Sequence, residues 1–279
     1  MITVPTGFAQ AIIRREGEAG RAWIASLPAI VESLLRQWSL APDGPATHGS
    51  VGLVLPVRPS AVIKVSFPHP GNVDQPDAFA AWQGRGAVRL LARDDDQFAM
   101  LLERAGPDTL ACVADDERAV GILGELSRRL AVPAPAGLPR LVDQFPLWEA
   151  EFLAAGRPVR VLDAVRELDQ RDTVVHGDLW DANVLAGSRE PWLAIDPKGC
   201  AGDPAYDAFT VIHGPRLILA PNHLWWLDFY CEAAGIDRER ARRWSLLRAH
   251  QSALWGRDGG DPDWLVRATD QIIAELGPA

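Results

Sequence analysis

Cysteine, net positive charge and long apolar runs are all scarce in this chain. Its three cysteines are too few and too scattered for a disulfide framework or a zinc site, so we expect free thiols in a reducing compartment. The net charge of −9 disfavours nucleic acid as a partner, because nucleic acid binds to basic patches. No apolar run reaches the ~18 residues that cross a membrane, and the first residues lack a charged segment leading into an apolar one. We therefore expect a cytoplasmic protein with no membrane and no nucleic-acid partner.

Lysine is the rarest of the charged residues. Of the 28 lysines and arginines only Lys64 and Lys198 are lysines, so arginine carries the positive charge everywhere else. An ammonium is a compact point charge that suits phosphate oxygens in a tight pocket, where a planar guanidinium does not fit. The two lysines are therefore candidate phosphate ligands, and chance placement is the alternative.

The order of patterns along the chain predicts two lobes. A length of 279 residues and a hydrophobic content of 48% allow about two domains with a sizeable core. Residues 1–40 carry an apolar stripe at helical spacing, and residues 47–104 are rich in strand patterns. The later patterns are mainly helical. We predict an α/β protein with a nucleotide lobe over residues 1–104 and a catalytic and acceptor lobe over residues 105–279.

One stretch, residues 174–207, concentrates the polar side chains. It contains the string HGDLWDANVL and, after a turn, the string WLAIDPKGCAGDPAYD. Short apolar and β-branched runs around the loop 176–183 predict strands and a hairpin that returns Asp196 to that loop. Asp178, Asn183 and Asp196 would then present carboxylate and amide oxygens at one point, and these are ligands that Mg²⁺ accepts.

This spacing meets the needs of a phosphoryl-transfer loop. A base must meet the acceptor hydroxyl, an Asn five residues later must hold a metal ion, and a second Asp must bridge the metal and the nucleotide phosphates. These roles fall to Asp178, Asn183 and Asp196. A polar turn in a generic α/β domain, a metal-dependent phosphohydrolase and a nucleotide-binding pseudokinase are the alternatives. A phosphohydrolase would have no use for Lys64.

The two strings resemble the aminoglycoside phosphotransferase superfamily, most of all its streptomycin 6-kinase-like branch of aminoglycoside/hydroxyurea antibiotic resistance kinases. The resemblance extends from about Gly49 to the C-terminus through GSVGLVLPVRP, AAWQGRGAVRLLA and FAMLLERAG. It implies a two-lobed, protein-kinase-like α/β fold with a smaller strand-rich N-lobe and a larger helical C-lobe. It also implies Mg²⁺-dependent transfer of the ATP γ-phosphate to a hydroxyl of a small molecule, with GTP left open as the donor.

The resemblance assigns residues of the N-lobe to the nucleotide. Gly49 and Ser50 lie where a glycine-rich phosphate cover would be, although an ordinary hairpin turn fits these residues equally well. Lys64 lies in the predicted strand SAVIKV, at the position of a phosphate-binding lysine. The acid that normally pairs with this lysine is replaced by Gln75, and Asp77 is the other candidate partner.

The remaining nucleotide residues come from the hinge and from the second string. Gly-Pro ends the strand after Glu103. The resemblance implies that the backbone of Glu103 and Ala105 is the hinge that would hold the adenine edge. Lys198 follows Asp196 and is the second candidate phosphate ligand.

Three residues near the catalytic loop are expected to act through structure. The resemblance implies that His176 holds backbone geometry rather than carrying a proton, and that Asp207 braces the catalytic loop. Pro197 should bias Asp196 towards extended backbone geometry, because the residue before a proline avoids the helical region.

The acceptor is expected to be a small, hydroxylated and cationic molecule, since the chain is acidic overall and resembles streptomycin kinases. An aminoglycoside such as streptomycin or a related amino-cyclitol is the first choice, and an amino sugar or amino alcohol is the alternative. Asp203, Asp228 and Trp255 are the candidate acceptor contacts, because acids and ring faces suit a cation. For each of them a surface or core role is the competing interpretation.

Overall fold

A five-stranded antiparallel sheet forms the core of the N-lobe. The computed structural model describes residues 2–277. The strands are β1 (Thr47–His48), β2 (Gly52–Val57), β3 (Ala61–Ser66), β4 (Leu90–Asp94) and β5 (Ala99–Glu103). Their order in the sheet is β1-β2-β3-β5-β4, and helix α2 (Gln75–Trp82) lies between β3 and β4 in the chain. The predicted strand-rich section is confirmed.

One face of this sheet is covered by the long helix α1 (Thr6–Gln37), which is interrupted at Gly17, where φ is 62°. Leu27, Val31 and Leu34 of the predicted apolar stripe are buried against sheet residues such as Ile63. Because side chains alternate across a strand, Lys64 projects to the opposite face of the sheet. The packing of α1 thus leaves the Lys64 face for α2 and the C-lobe.

The C-lobe is mainly helical, with two short two-stranded sheets. Strand β6 (Thr173–Val175) pairs with β9 (Cys200–Gly202), and β7 (Val184–Ala186) pairs with β8 (Trp192–Ala194). The strands predicted around the catalytic loop are therefore confirmed. The helices are α3 (Asp116–Leu130), α4 (Phe145–Ala154), α5 (Arg160–Arg166), α6 (Ala208–His213), α7 (His223–Ala234), α8 (Arg238–Gly259) and α9 (Asp263–Leu276).

The two lobes share apolar packing. Phe79 and Trp82 of α2 and Met100 of β5 belong to the same buried cluster as the helices of the C-lobe. The boundary between residues 104 and 105 stays a prediction. Within residues 2–277, no helix is both long enough and apolar enough to cross a membrane.

Helices α3 and α7 approach each other closely at Gly124. A methyl group on this residue would lie 2.6 Å from Cβ of Ala233 and 2.9 Å from the carbonyl oxygen of Tyr230. Gly121, one turn earlier on α3, has room for a methyl group. A methyl group there would lie 4.0 Å from its nearest neighbour, a ring carbon of Phe229.

We therefore expect Gly124→Ala and Gly121→Ala to change stability in opposite directions. Gly124→Ala should destabilise the protein by about 1–3 kcal/mol, because the added methyl group overpacks the α3–α7 contact. Gly121→Ala should be neutral or stabilise by up to about 1 kcal/mol, because alanine favours the helix. Urea unfolding of both variants measures the difference, and equal effects would contradict this account of the helix contact.

Candidate active site

The catalytic loop, which lies between β6 and β7, is held in place by Asp207. This buried carboxylate accepts hydrogen bonds from the backbone N–H groups of His176, at 3.1 Å, and Gly177, at 2.7 Å. Burial raises the pKa of Asp207 to about 6, although Arg248 and the two N–H groups oppose the rise. The predicted brace is confirmed.

His176 is buried, and its ring contacts backbone groups of the site. It has a structural role and does not carry a proton to or from the substrate. Its Nε2 lies 2.9 Å from the carbonyl oxygen of Ile195, and its Nδ1 accepts the N–H of Asp178 at 3.2 Å. Burial lowers the pKa of His176 to about 4, so the ring is neutral near pH 7. The ring also stacks on Trp82 of α2, with centroids 6.0 Å apart. These contacts match the structural role expected from the sequence.

Asp178 and Asn183 are in direct contact. The Nδ2 group of Asn183 donates to the backbone carbonyl of Asp178 at 2.9 Å and to its Oδ2 at 3.2 Å. The backbone carbonyl oxygen of Asn183 accepts the backbone N–H of Ile195 at 2.9 Å, which places the catalytic loop beside Asp196. Three of the predicted catalytic and metal residues are thus on adjoining segments.

Lys64 reaches Asp196 across the two lobes. Its Nζ donates to Oδ1 of Asp196 at 2.5 Å and to Oε1 of Gln75 at 2.9 Å, and the residue is only 5% exposed. Asp77 instead pairs with Arg93 at 2.5 Å, so Gln75 is the helix-borne partner. Burial raises the pKa of Asp196, but the charge and hydrogen bond of Lys64 outweigh burial and hold this pKa below its ordinary value.

The backbone of Asp196 differs from the sequence-based expectation. Its φ is 56°, in the left-handed region, whereas Pro197 predicted extended geometry. A proline pushes the preceding residue towards extended geometry, and at Asp196 the tertiary contacts override that local preference. This conformation accompanies the contact between Asp196 and Lys64.

The turn between β1 and β2 lies over Asp196. A methyl group on Gly49 would be 3.7 Å from Oδ2 of Asp196, and the Gly49 N–H closes the turn by donating to the Gly52 carbonyl at 3.0 Å. The backbone carbonyl of Ser50 accepts a hydrogen bond from Arg15 at 3.3 Å. Gly49 therefore lies beside the predicted metal residue, as a phosphate cover requires, while Ser50 is exposed at the tip of the turn.

The hinge exposes backbone rather than side-chain groups. The carboxylate of Glu103 is held by Arg189, through bonds of 3.0 and 3.1 Å, and by the N–H of Arg89. Across residues 2–277 no group accepts the N–H of Ala105, whereas the next N–H, of Gly106, donates to the Ala186 carbonyl at 2.7 Å. The Ala105 N–H is therefore a free donor within the described residues, and its contact with an adenine edge stays a prediction. The sequence did not single out Arg189, because arginine supplies nearly every cation in the chain.

Lys198 contacts the catalytic loop through its backbone. Its side chain is exposed, and its backbone N–H donates to the carbonyl of His176 at 2.7 Å. The contact requires glycine at position 177, where φ is 79° and an added Cβ would lie 2.9 Å from Cβ of Lys198. The ammonium of Lys198 therefore extends from a fixed point of the catalytic loop.

The structure separates the three candidate acceptor residues. Asp203 is 2% exposed, pairs with Arg240 and caps the turn at Ala205, so its contacts are structural and the structure does not bring it to the acceptor. Asp228 on α7 is half-buried and pairs with Arg238 at 3.3 Å. Trp255, near the end of α8, is 49% exposed. Of the three, Asp228 and Trp255 remain accessible predictions.

Asn183 and Asp196 suit Mg²⁺ in particular. Among residues 2–277 no cluster of three His, Cys, Asp or Glu side chains could bind a metal ion by itself. Mg²⁺ is commonly bound through one or two carboxylates, with water and nucleotide phosphate oxygens as its other ligands. Oδ1 of Asp196 faces Lys64 and Oδ2 faces the turn at Gly49. One carboxylate and one amide are therefore a sufficient protein contribution.

Comparison with known proteins identifies the family. The aminoglycoside/hydroxyurea antibiotic resistance kinases match residues 37–260. The chain belongs to this family. It is 39% identical to a streptomycin 6-kinase of Streptomyces glaucescens, over 93% of this chain and 92% of that protein. It is 35% identical to a hydroxyurea phosphotransferase of Kitasatospora aureofaciens, over 99% of this chain and 88% of that protein. The chain is a phosphotransferase, as its motifs predicted.

Solved structures share the fold of this kinase at low sequence identity. Aminoglycoside phosphotransferase APH(4)-Ia has a TM-score of 0.60 at 14% identity and covers 90% of this chain and 100% of its own. A choline/ethanolamine kinase family protein of Mesorhizobium loti has a TM-score of 0.59 at 16% identity, with 88% and 93% covered. The predicted two-lobed, protein-kinase-like α/β fold is confirmed.

The environments of the two lysines predict different responses to arginine. Lys64→Arg should weaken nucleotide binding and lower turnover by about 100-fold, nearly as much as Lys64→Ala, because a planar guanidinium cannot take the buried position between Gln75 and Asp196. Lys198→Arg should cost less than about tenfold, because the side chain is exposed and keeps its charge. Titration calorimetry with an ATP analogue and steady-state kinetics measure both effects. Wild-type behaviour of Lys64→Arg would remove Lys64 from the phosphate site.

Proposed function

We propose that this kinase transfers the γ-phosphate of ATP to a hydroxyl of streptomycin or a related amino-cyclitol, with Mg²⁺ and in the cytoplasm. The observation that carries the proposal is the arrangement of Asp178, Asn183, Asp196 and Lys64 on adjoining segments. The streptomycin 6-kinase relative supports the acceptor. Structures that share the fold were solved with ADP (a mutant of APH(4)-Ia) and with GDP (aminoglycoside 2'-phosphotransferase-IIIa), which supports a purine nucleotide as the donor, with GTP as the alternative to ATP.

The proposal gives each of these residues a task. Asp178 accepts the proton of the acceptor hydroxyl, and the hydrogen bond from Asn183 to its Oδ2 orients the carboxylate. Lys64 and Lys198 neutralise phosphate oxygens, and the Ala105 N–H binds the adenine edge. Asn183 and Asp196 would hold Mg²⁺, which when bound neutralises charge on the transferred phosphate. In this proposal residues 1–104 carry the nucleotide and residues 105–279 carry the base and the acceptor.

A depression at the end of α8 supports a cationic acceptor. Glu151, Trp255 and Asp258 line it, and the Nε1 group of Trp255 donates to Glu151 at 3.4 Å. Two carboxylates beside an aromatic face attract guanidinium and ammonium groups. The net charge of −9 would also speed the arrival of a cation, an effect that salt screens.

The acceptor is tested by direct phosphorylation. With ATP and Mg²⁺, streptomycin should gain one phosphate in mass, and it should raise the melting temperature more than a neutral sugar does, less so at high salt. Hydroxyurea, an amino sugar and an amino alcohol serve as competing acceptors. Phosphorylation of one of these, with streptomycin unchanged, would disprove the acceptor and retain the reaction. No transfer to any hydroxyl would disprove both.

Asp178→Asn tests the base. The substitution keeps the shape of the side chain and removes the proton acceptor, so turnover should fall by about 10²–10⁴-fold while nucleotide affinity stays at the wild-type value. Single-turnover kinetics and calorimetry separate the two quantities. A variant that retains more than half of its turnover, when chemistry limits the rate, would exclude Asp178 as the base.

A further inference from the structure

Arg216 binds the catalytic loop from the connection between α6 and α7. Its Nε donates to Oδ2 of Asp181 at 3.0 Å, and one terminal nitrogen donates to Asp116 at 2.6 Å. The other terminal nitrogen donates to the carbonyl oxygen of Leu110 at 3.2 Å. The Arg216 side chain is 11% exposed and that of Asp181 is 8% exposed, so water screens their ion pair little.

The bond from Arg216 to Asp181 matters because Asp181 is close in the chain to Asn183. Asp181 is the first residue of a short 3₁₀ helix, Asp181–Asn183. Asn183, the predicted metal ligand, is the last residue of the same helix. Gly214, in the same connection as Arg216, packs against the loop as well, because a methyl group there would lie 3.7 Å from Cβ of Trp180. The connection therefore touches two consecutive residues of the catalytic loop.

The carbonyl and carboxylate on the far side of Arg216 belong to the segment that follows the hinge. Leu110 lies between the hinge and α3, and Asp116 is the first residue of α3. The carbonyl of Asp108, in the same segment as Leu110, accepts the N–H of Ala186 at 2.8 Å. One guanidinium thus ties the post-hinge segment to the turn that carries Asn183. A lysine could not make these contacts, because one ammonium cannot match three acceptors in the plane of a guanidinium.

We propose that Arg216 is a positioning residue for the metal site: through Asp181 it fixes the turn that presents Asn183 to the metal ion. The inference rests on the proposed Mg²⁺-dependent function but not on the identity of the acceptor. The competing interpretation is that the ion pair stabilises the fold and has no influence on the metal. The two interpretations differ in what Arg216→Lys does to metal affinity.

The test measures metal binding without turnover. Mn²⁺ binding to the full chain is followed by electron paramagnetic resonance, with a non-hydrolysable ATP analogue at saturation. Arg216→Lys should weaken Mn²⁺ by about 10–100-fold, as is typical when a residue that orients a metal ligand is lost. The affinity for the analogue without metal should stay within about twofold of wild type, because Arg216 does not contact the nucleotide residues.

Arg166→Lys is the matched control. Arg166 also bridges two carboxylates, Glu149 at 2.7 Å and Asp163 at 3.0 Å, but on α4 and α5 rather than on the catalytic loop. It should leave Mn²⁺ affinity unchanged, and its melting temperature provides the reference for losing an arginine bridge. Asp181→Asn should weaken Mn²⁺ as well, and the double variant should lose no more than Arg216→Lys alone, because both residues act through one contact.

The outcomes separate this inference from the proposed function. Wild-type Mn²⁺ affinity in Arg216→Lys, with a lowered melting temperature, would overturn the inference and leave the proposed function intact. Additive losses in the double variant would overturn it too, because the two residues would then act separately. Absence of Mn²⁺ binding in the wild-type protein would overturn the proposed function and, with it, the inference.

Discussion

The ion pair between Lys64 and Asp196 joins the sheet to the catalytic lobe, and the other contacts of the site are arranged around it. A lysine that is 5% exposed has lost most of its hydration, and the neutral Gln75 offers it only a dipole. Asp196 must therefore supply the counter-charge, and it does so at 2.5 Å from a backbone with a φ of 56°. Such a conformation costs on the order of 1–3 kcal/mol in a residue with a side chain, and it persists because the surrounding contacts hold Asp196 in it.

The chain divides its cations by chemistry. Arginine holds structure wherever several acceptors must be bound at once: Arg189 fixes the hinge through both oxygens of Glu103, Arg216 joins three acceptors, and Arg248 lies 4.1 Å from the ring centroid of Tyr206 near the brace Asp207. These roles use the planar fork of the guanidinium. In the proposed function the two lysines instead flank the phosphates, where a single mobile charge can move from a carboxylate to a phosphate oxygen. Under that proposal the rarity of lysine points to function, whereas the abundance of arginine hides its structural roles.

Local patterns predicted what local chemistry determines. The strands around the catalytic loop and the α1 stripe follow from short strings with strong turn, strand or helix signals. The structural roles of His176 and Asp207 were instead implied by the family resemblance, and their hydrogen bonds to the loop backbone agree with those roles. Partners that lie far apart in the chain could not be predicted in the same way. The choice of Gln75 over Asp77 depends on the rotation of α2, and the capture of Asp203 by Arg240 depends on where α8 begins. Both are set by tertiary packing, which no window of sequence contains.

The same contrast explains why the nucleotide half of the site is better determined than the acceptor half. Lys64 is bonded to Gln75 and Asp196, and Asn183 is bonded to Asp178, so a substitution at one of these residues disturbs several contacts. Asp228 is half-buried and Trp255 is exposed, and each has one polar partner among residues 2–277, so both can change at little cost to the fold. Phosphoryl transfer requires only that some hydroxyl reaches the base in the correct geometry. A family built this way can keep its chemistry while its acceptors diverge, and relatives named for streptomycin and for hydroxyurea at 39% and 35% identity fit that expectation.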